Sequence, residues 1–201
     1  NFEKLSRYWE LGHDLRDVRL AANHAADIVK SVRSLGGNNF TRTEGLSIHE
    51  TLSRAISLLK PSLHDVKLEA DLGSAENAPL IYGDMTELVQ IWVNIIKNSC
   101  DAMEMAETKD PKVSISCSYS STHVSVKITD NGPGISNSAK DKIFQMDFTT
   151  KKNGLSFGLG LGLAIVHRIV DSYGGKIILD SVPQKTTFNI TLPIENNYGN
   201  N

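Results

Sequence analysis

The chain has 201 residues, 40% hydrophobic and 22% charged, with a formal net charge of −2. This length suggests one large domain or one domain with an appendage, and without a basic segment no nucleic acid is expected as a partner. The two cysteines, Cys100 and Cys117, have no metal-ligand spacing and cannot build a disulfide framework, which favours a cytoplasmic setting. The longest apolar run, residues 159–166, is too short to span a bilayer. Since the chain does not begin with Met, a membrane anchor upstream of residue 1 is left open.

Residues 2–35 are predicted to form one long helix that ends at Gly36 and Gly37. Its apolar side chains recur at alternating steps of four and three, the pattern of a coiled-coil seam: Leu11, Leu15, Val18, Ala22, Ala25, Val29 and Val32. Such a helix has no core of its own, so we expect residues 1–37 to pair with a second helix and to carry a homodimer. Residues 38–46 read as a polar linker.

An amphipathic helix is predicted over residues 47–60, with an apolar face of Ile48, Leu52, Ile56 and Leu59. Ser47 and Glu50 have the spacing of a capping box. The alternation over residues 66–72 predicts a strand, and a short strand is predicted at residues 80–82.

The helix predicted over residues 84–106 carries a polar stripe. One narrow arc holds Glu87, Gln90, Asn94, Asn98 and Asp101, and the opposite side is apolar. An ordinary solvated face is one interpretation. Because the arc contains no lysine or arginine, we favour the wall of a binding site.

A hairpin is predicted over residues 113–119 and 123–129, with one buried face. Its second strand runs into Asp130, which a Gly-Pro-Gly turn follows. A carboxylate there could accept a hydrogen bond from an exocyclic amine such as that of adenine. The alternative is an aspartate that caps its own turn.

A short helix predicted over residues 136–144 leads, through Phe144 and a polar segment, into a loop of alternating glycines. Gly158, Gly160 and Gly162 precede a predicted helix, and such a loop can cradle phosphate on backbone N–H groups. Glycines also mark tight packing, which stays the alternative. A second hairpin is predicted over residues 176–182 and 186–192, and residues 195–201 are predicted to be a disordered tail.

In this order, the segments resemble the ATP-binding catalytic domain of bacterial sensor histidine kinases, within the superfamily of gyrase, Hsp90 and MutL. Residues 94–102 resemble the N box, 130–135 the G1 box, 144–151 the F box and 158–163 the G2 box. The resemblance implies an α+β fold over residues 47–194, a two-layer α/β sandwich with a mixed, mostly antiparallel sheet under helices. The N-terminal helix resembles the second helix of the dimerisation hairpin.

The resemblance implies ATP and Mg²⁺ as cofactors, with Asn98 and Asn94 as catalytic residues and Asn98 as the Mg²⁺ ligand. It implies a nucleotide-binding set of Asn94, Lys97, Asn98, Asp101, Asp130, Gly132, Gly134, Ile135, Phe144, Lys151, Gly158, Leu159, Gly160, Leu161, Gly162, Leu163 and Thr186. Residues 144–157 would form the ATP lid. The chain departs from the family at Leu159, where Thr or Ser is usual, and at Pro183-Gln184-Lys185, which replaces a glycine-containing turn.

The activity implied is transfer of the ATP γ-phosphoryl group to a histidine and then to an aspartate of a response-regulator receiver domain. The superfamily's ATPases usually carry Glu at the position of Asn94, and since an amide cannot act as a general base, transfer fits better than hydrolysis. His13 lies too close to Arg33 for a full two-helix hairpin between them, so we expect the phosphoacceptor upstream of residue 1. The alternatives are an ATP-hydrolysing clamp of the gyrase, Hsp90 or MutL kind and a non-catalytic nucleotide-binding scaffold.

Overall fold

The computed structural model of the chain describes residues 43–73, 78–145, 148 and 161–194. Several predicted features lie outside these residues: the long N-terminal helix, most of the F box and lid including Lys151, the loop residues Gly158, Leu159 and Gly160, and the C-terminal tail.

Five strands form a mixed sheet in the order β2-β4-β5-β7-β6. β2 pairs with β4 in parallel, and every other neighbouring pair is antiparallel. The strands are β2 Lys67–Asp71, β4 Lys112–Tyr119, β5 His123–Asp130, β6 Lys176–Val182 and β7 Lys185–Pro193. The predicted mixed, mostly antiparallel sheet is confirmed.

Strict alternation in the central strands gives the sheet one apolar face, as on β5, where Val124, Val126 and Ile128 are buried. The opposite face carries hydroxyl side chains that bond across strands, such as Thr129 to Thr187 at 3.0 Å. The apolar face is therefore the one that the helices cover.

The helices are α1 Ile48–Leu58, α2 Met85–Met105, α3 Asn137–Lys140 and α4 Gly162–Ser172. Apolar residues of α1, α2 and α4 join the inward side chains of the sheet in one buried cluster, with Trp92 fully buried within it. The indole N–H of Trp92 donates to Thr51 Oγ1 at 2.9 Å, which joins α2 to α1. Within the described ranges, no helix combines the length and apolarity that crossing a bilayer requires.

A strand occupies part of the stretch predicted to be a linker. β1, Thr43–Ser47, pairs antiparallel with β3, Leu80–Gly83, in a separate two-stranded sheet. The sequence of β1 does not alternate apolar and polar residues. Its pairing is also irregular, since Gly45 adopts a φ of +81° and the register shifts between Thr43 and Leu46. Pairing with β3, rather than local pattern, makes this segment extended.

The capping box predicted at Ser47 and Glu50 is wrong. Ser47 is the last residue of β1, and its side chain makes no capping hydrogen bond, while Glu50 pairs with Arg54 at 2.6 Å. At α2, by contrast, Asp84 caps the helix by accepting from the backbone N–H groups of Thr86 at 2.7 Å and Glu87 at 3.0 Å.

One short helix also differs from expectation, and one turn has an unusual backbone conformation. α3 ends at Lys140 and continues in turns, so the helix is shorter than the predicted 136–144. In the hairpin between β6 and β7, Gln184 adopts a φ of +65°, the left-handed conformation that the glycine usual in this turn would adopt without strain.

Candidate functional site

The polar stripe of α2 borders the start of α4. Asn94 Nδ2 donates to the carbonyl oxygen of Gly162 at 3.2 Å. A Cβ added to Gly162 would lie 3.8 Å from the side-chain amides of both Asn94 and Asn98. The structure therefore brings together the two predicted catalytic asparagines and the last glycine of the predicted phosphate loop.

Gly162 is the first residue of α4, and Leu161 occupies the N-cap position. A leucine has no oxygen with which to cap the backbone N–H groups of the first turn. Those groups and the helix dipole together favour an anion at this end of the helix. The start of α4 therefore suits phosphate, next to two amide side chains that can donate or accept.

Asp130 ends β5 as a buried carboxyl group with 5% of its surface exposed. Its Oδ1 accepts from the backbone N–H of Gly132 at 2.9 Å, and its Oδ2 accepts from the hydroxyl of Ser99 at 2.8 Å. Burial raises the pKa of Asp130, while the bonds from Ser99 and Gly132 lower it. The result is an acceptor held at a defined position in an apolar surrounding.

Consecutive residues of α2 connect these two parts of the site. Asn98 lies beside Gly162, and Ser99 bonds to Asp130. The start of α4 and the Asp130 carboxylate therefore lie beside consecutive residues of α2. Ser99 lies on the side of α2 that was predicted to be apolar, and the sequence did not single out its bond to Asp130. The available signal was a lone hydroxyl among core positions.

The turn after Asp130 depends on two close approaches. Gly134 has a φ of +83°, and a Cβ there would lie 2.7 Å from the carbonyl oxygen of Val182. A Cβ on Gly132 would lie 2.9 Å from Asp130 Oδ1. Glycine at both positions thus lets the turn pack against Asp130 and the β6–β7 hairpin.

Thr186 of β7 lies directly opposite Asp130 of β5 in the sheet register, and both residues are buried. The Thr186 hydroxyl lies 3.0 Å from Ser181 Oγ, which accepts from the backbone N–H of Ile135 at 2.8 Å. These two hydrogen bonds join the predicted residues Ile135 and Thr186 through Ser181, which the sequence did not single out. The residue directly opposite Asp130 in the sheet therefore carries a hydroxyl group.

Other members of the predicted set have different neighbours. Lys97 Nζ lies 3.4 Å from Asp101 Oδ2, one helical turn away, and Lys97 is exposed. The ring of Phe144 lies 5.4 Å from that of His167 on α4, centroid to centroid. Leu161 and Leu163, on either side of Gly162, are half-buried.

Glu87 corrects the expectation that the whole polar stripe forms a site wall. It is buried, with 8% of its surface exposed, and accepts from the Tyr173 hydroxyl at 2.8 Å. The same hydroxyl accepts from the backbone N–H of Asp84 at 2.7 Å. Tyr173 follows the end of α4, so this network fastens the C-terminal end of α4 to the N-terminal end of α2.

A protein-family model, described as histidine kinase-, DNA gyrase B-, and HSP90-like ATPase, matches residues 83–196. The sensory histidine kinase/phosphatase NtrB of Azospirillum brasilense is 32% identical over 177 residues, covering 76% of this chain and 42% of that protein. The sensor histidine kinase ZraS of Escherichia coli (strain K12) is 29% identical over 152 residues, covering 75% of this chain and 31% of that protein. The chain thus spans less than half the length of these two relatives.

Solved structures give the same assignment of the fold. The nucleotide-free catalytic domain of histidine kinase ThkA is 26% identical, with a TM-score of 0.65, over 76% of this chain and 95% of that one. The Acinetobacter baumannii histidine kinase AdeS, at 22% identity, has a TM-score of 0.68 over 87% of this chain and 81% of that one, which supports the fold alone. The predicted α+β sandwich is confirmed.

Proposed function

Because this chain belongs to the histidine kinase-, DNA gyrase B-, and HSP90-like ATPase family, as the catalytic ATP-binding part of a sensor histidine kinase, we propose that the full protein transfers the γ-phosphoryl group of ATP to a histidine. The phosphoryl group then passes to an aspartate of a response-regulator receiver domain. The coiled-coil pattern in the sequence of residues 1–37 supports their assignment to a dimerisation segment.

The observation that carries this proposal is the adjacency of two different binding environments along α2. Asn98 of α2 lies beside the start of α4, and the next residue, Ser99, bonds to Asp130. The start of α4 receives the phosphates, and Asp130, opposite Thr186 in the sheet, accepts a hydrogen bond from the amino group of adenine. This arrangement orients the nucleotide along α2 from its base to its triphosphate.

Mg²⁺ fits the donors present at the phosphate end. It prefers oxygen ligands and takes few from protein where phosphates supply the rest. The half-buried Asn98, whose amide lies beside Gly162, would hold the ion through its side-chain oxygen. When bound, the ion neutralises the charge that develops on the transferring phosphoryl group.

Asn94 supports transfer over hydrolysis. Its amide donates to the carbonyl of Gly162, which fixes α4 against α2, and an amide cannot take a proton from water. The residue therefore positions the phosphate end without activating a water molecule. Slow ATP hydrolysis without an acceptor is expected, and rapid steady hydrolysis would instead favour a clamp ATPase.

Calorimetric titration of ATP–Mg²⁺ into the chain tests the nucleotide site. We expect Asn98→Ala and Asp130→Asn to lose most of the affinity. Asn189→Ala, on the β7 face opposite the buried Phe188 and Ile190, should keep it. Binding that neither site variant weakens would contradict the placement of ATP, and no binding by the unaltered chain would favour a scaffold.

Labelling of the full-length protein with γ-labelled ATP tests the reaction. We expect an acid-labile, base-stable label on the protein, which a receiver domain then removes. Because a phosphoramidate of histidine is the linkage proposed, acid-stable label on Ser or Thr would contradict it.

A further inference from the structure

Ser99 is a buried hydroxyl on the sheet side of α2, with 3% of its surface exposed. A serine inside a helix commonly bonds to a backbone carbonyl of the preceding turn. Ser99 instead donates to the carboxylate of Asp130, 31 residues away in sequence, at 2.8 Å. Since alanine would fill a core position of α2 equally well, the hydroxyl has its role at Asp130 rather than in packing.

The surroundings of Asp130 leave its carboxylate dependent on neutral donors. α2 presents Ser99 and the thiol of Cys100, whose pKa is raised to about 11 mainly by burial and further by Asp101 and Asp130. Val113 faces Asp130 from β4, and Thr186 faces it from β7. Only the bonds from Ser99 and Gly132 oppose the effect of burial on the pKa of Asp130, and no cation among the described residues contributes.

We propose that Ser99 is a positioning residue for adenine recognition, whose hydroxyl holds the Asp130 carboxylate in the orientation that accepts from the purine amino group. The inference rests on the proposed function, because it requires adenine at Asp130. Gly132 restrains one carboxylate oxygen from the turn, and Ser99 restrains the other from the helix. A carboxylate offers about four lone-pair positions, so these two bonds leave room for a ligand donor.

The affinities for two nucleotides distinguish a positioning role of Ser99 from a role in packing. ATP–Mg²⁺ and the triphosphate of purine riboside, which has hydrogen in place of the adenine amino group, are titrated calorimetrically into the unaltered chain and into Ser99→Ala. We expect Ser99→Ala to weaken ATP about tenfold, the usual scale for a hydrogen bond to a charged group. The affinity for the purine riboside triphosphate should stay the same, because that nucleotide offers Asp130 no donor.

Two further variants serve as controls. Cys100→Ala truncates the next buried side chain of α2 and should leave the affinity for both nucleotides unchanged. In the background of Asp130→Asn, adding Ser99→Ala should produce no further loss of ATP affinity, since the hydroxyl acts through the carboxylate. Circular dichroism melts of every variant confirm that each is folded at the temperature of titration.

The dependence of ATP affinity on pH provides a third readout. An acid form of Asp130 is a poorer acceptor, so affinity falls as pH drops through its pKa. Without the Ser99 donor that pKa rises, and Ser99→Ala should lose ATP affinity at a higher pH than the unaltered chain. A packing role would leave the midpoint of this profile in place.

The outcomes separate this inference from the proposed function. If the unaltered chain fails to bind ATP, the proposed function itself is wrong. If it binds ATP and Ser99→Ala binds equally well, or if Ser99→Ala loses both nucleotides to the same extent, only the positioning role of Ser99 is overturned.

Discussion

At the scale of single residues, Asp130 is a buried hydrogen-bond acceptor, and the burial of its charge lowers the stability of the folded chain. Its carboxylate is buried, the donors bonded to it among the described residues are neutral, and burial is the first cause of its raised pKa. In the unfolded chain the same group is solvated and ionises near its ordinary value of 3.8. As pH rises from that value to the raised one, the unfolded state loses the proton first. The free energy of unfolding therefore falls across this window.

We predict that Asp130→Asn stabilises the nucleotide-free chain at neutral pH, because it removes a buried charge while keeping groups that can bond to Ser99 and Gly132. The gain should shrink at acidic pH, below the raised pKa of Asp130, where the folded chain holds the proton. Urea unfolding at both pH values measures the difference. Asp180→Asn, at an exposed position of β6, is the control. A gain of equal size at both pH values would contradict the argument.

Gly134 shows how a backbone position can limit the choice of side chain. It has a φ of +83° and lies against backbone atoms of Val182, whereas Gly174 has a φ of +65° with open space around it. We predict that Gly134→Ala lowers the free energy of unfolding by about 2–4 kcal/mol, and Gly174→Ala by only about 1 kcal/mol. Denaturant titration of the two variants tests this, and equal losses would show that φ alone sets the cost.

At the scale of elements, α2 connects the proposed nucleotide site to the rest of the domain. Its N-terminal end is held by Tyr173, its middle carries Asn94 and Asn98, and Ser99 reaches Asp130. Since α4 is fastened to α2 at both ends, by Asn94 at its start and by Tyr173 after its last residue, the end of α4 that we propose binds phosphate is held against α2.

We predict that Tyr173→Phe destabilises the chain by about 1–3 kcal/mol, because Glu87 loses a buried donor and the N–H of Asp84 loses its acceptor. Tyr119→Phe is the matched control: its hydroxyl makes a longer bond, 3.3 Å, to the carbonyl of Leu72, and its loss should cost less. Thermal unfolding of both variants compares them. If Tyr119→Phe lowers stability as much as Tyr173→Phe does, the hydrogen bonds of Tyr173 contribute no more than an ordinary tyrosine hydroxyl.

At the scale of the whole molecule, ligand binding and folding are coupled through the site. The groups proposed to hold ATP come from α2, the end of β5, the start of α4 and β7, so they are correctly placed only in the folded chain. A ligand that binds only the folded state stabilises it by mass action.

We predict that ATP–Mg²⁺ at about 100 times its dissociation constant stabilises the chain by about 2.7 kcal/mol, seen as a higher melting temperature. Asn98→Ala at the same nucleotide concentration should show little increase. An equal increase in that variant would mean that ATP binds elsewhere or that Asn98 does not hold the phosphate end.

Much of the fold was predictable because its pattern is local. The β4–β5 hairpin alternates apolar and polar residues, since one face of the sheet is buried, and α2 has an apolar side throughout its length. Asp84 before α2 is a residue type that commonly caps helices, and the glycines after β5 are typical of turns. The positions of Asn98, Asp130 and Gly162 could therefore be predicted as a site from their order along the chain.

The amino-acid sequence by itself determined α2, α4 and the five strands of the main sheet, because each depends on residues within a few positions of one another. Only the tertiary structure decided that β1 is a strand, that Glu87 bonds to Tyr173, and that Ser99 bonds to Asp130. The partners in the last two pairs are 86 and 31 residues apart. Long-range pairing follows from how the layers pack. The periodicity of a sequence does not predict which distant side chains will come into contact.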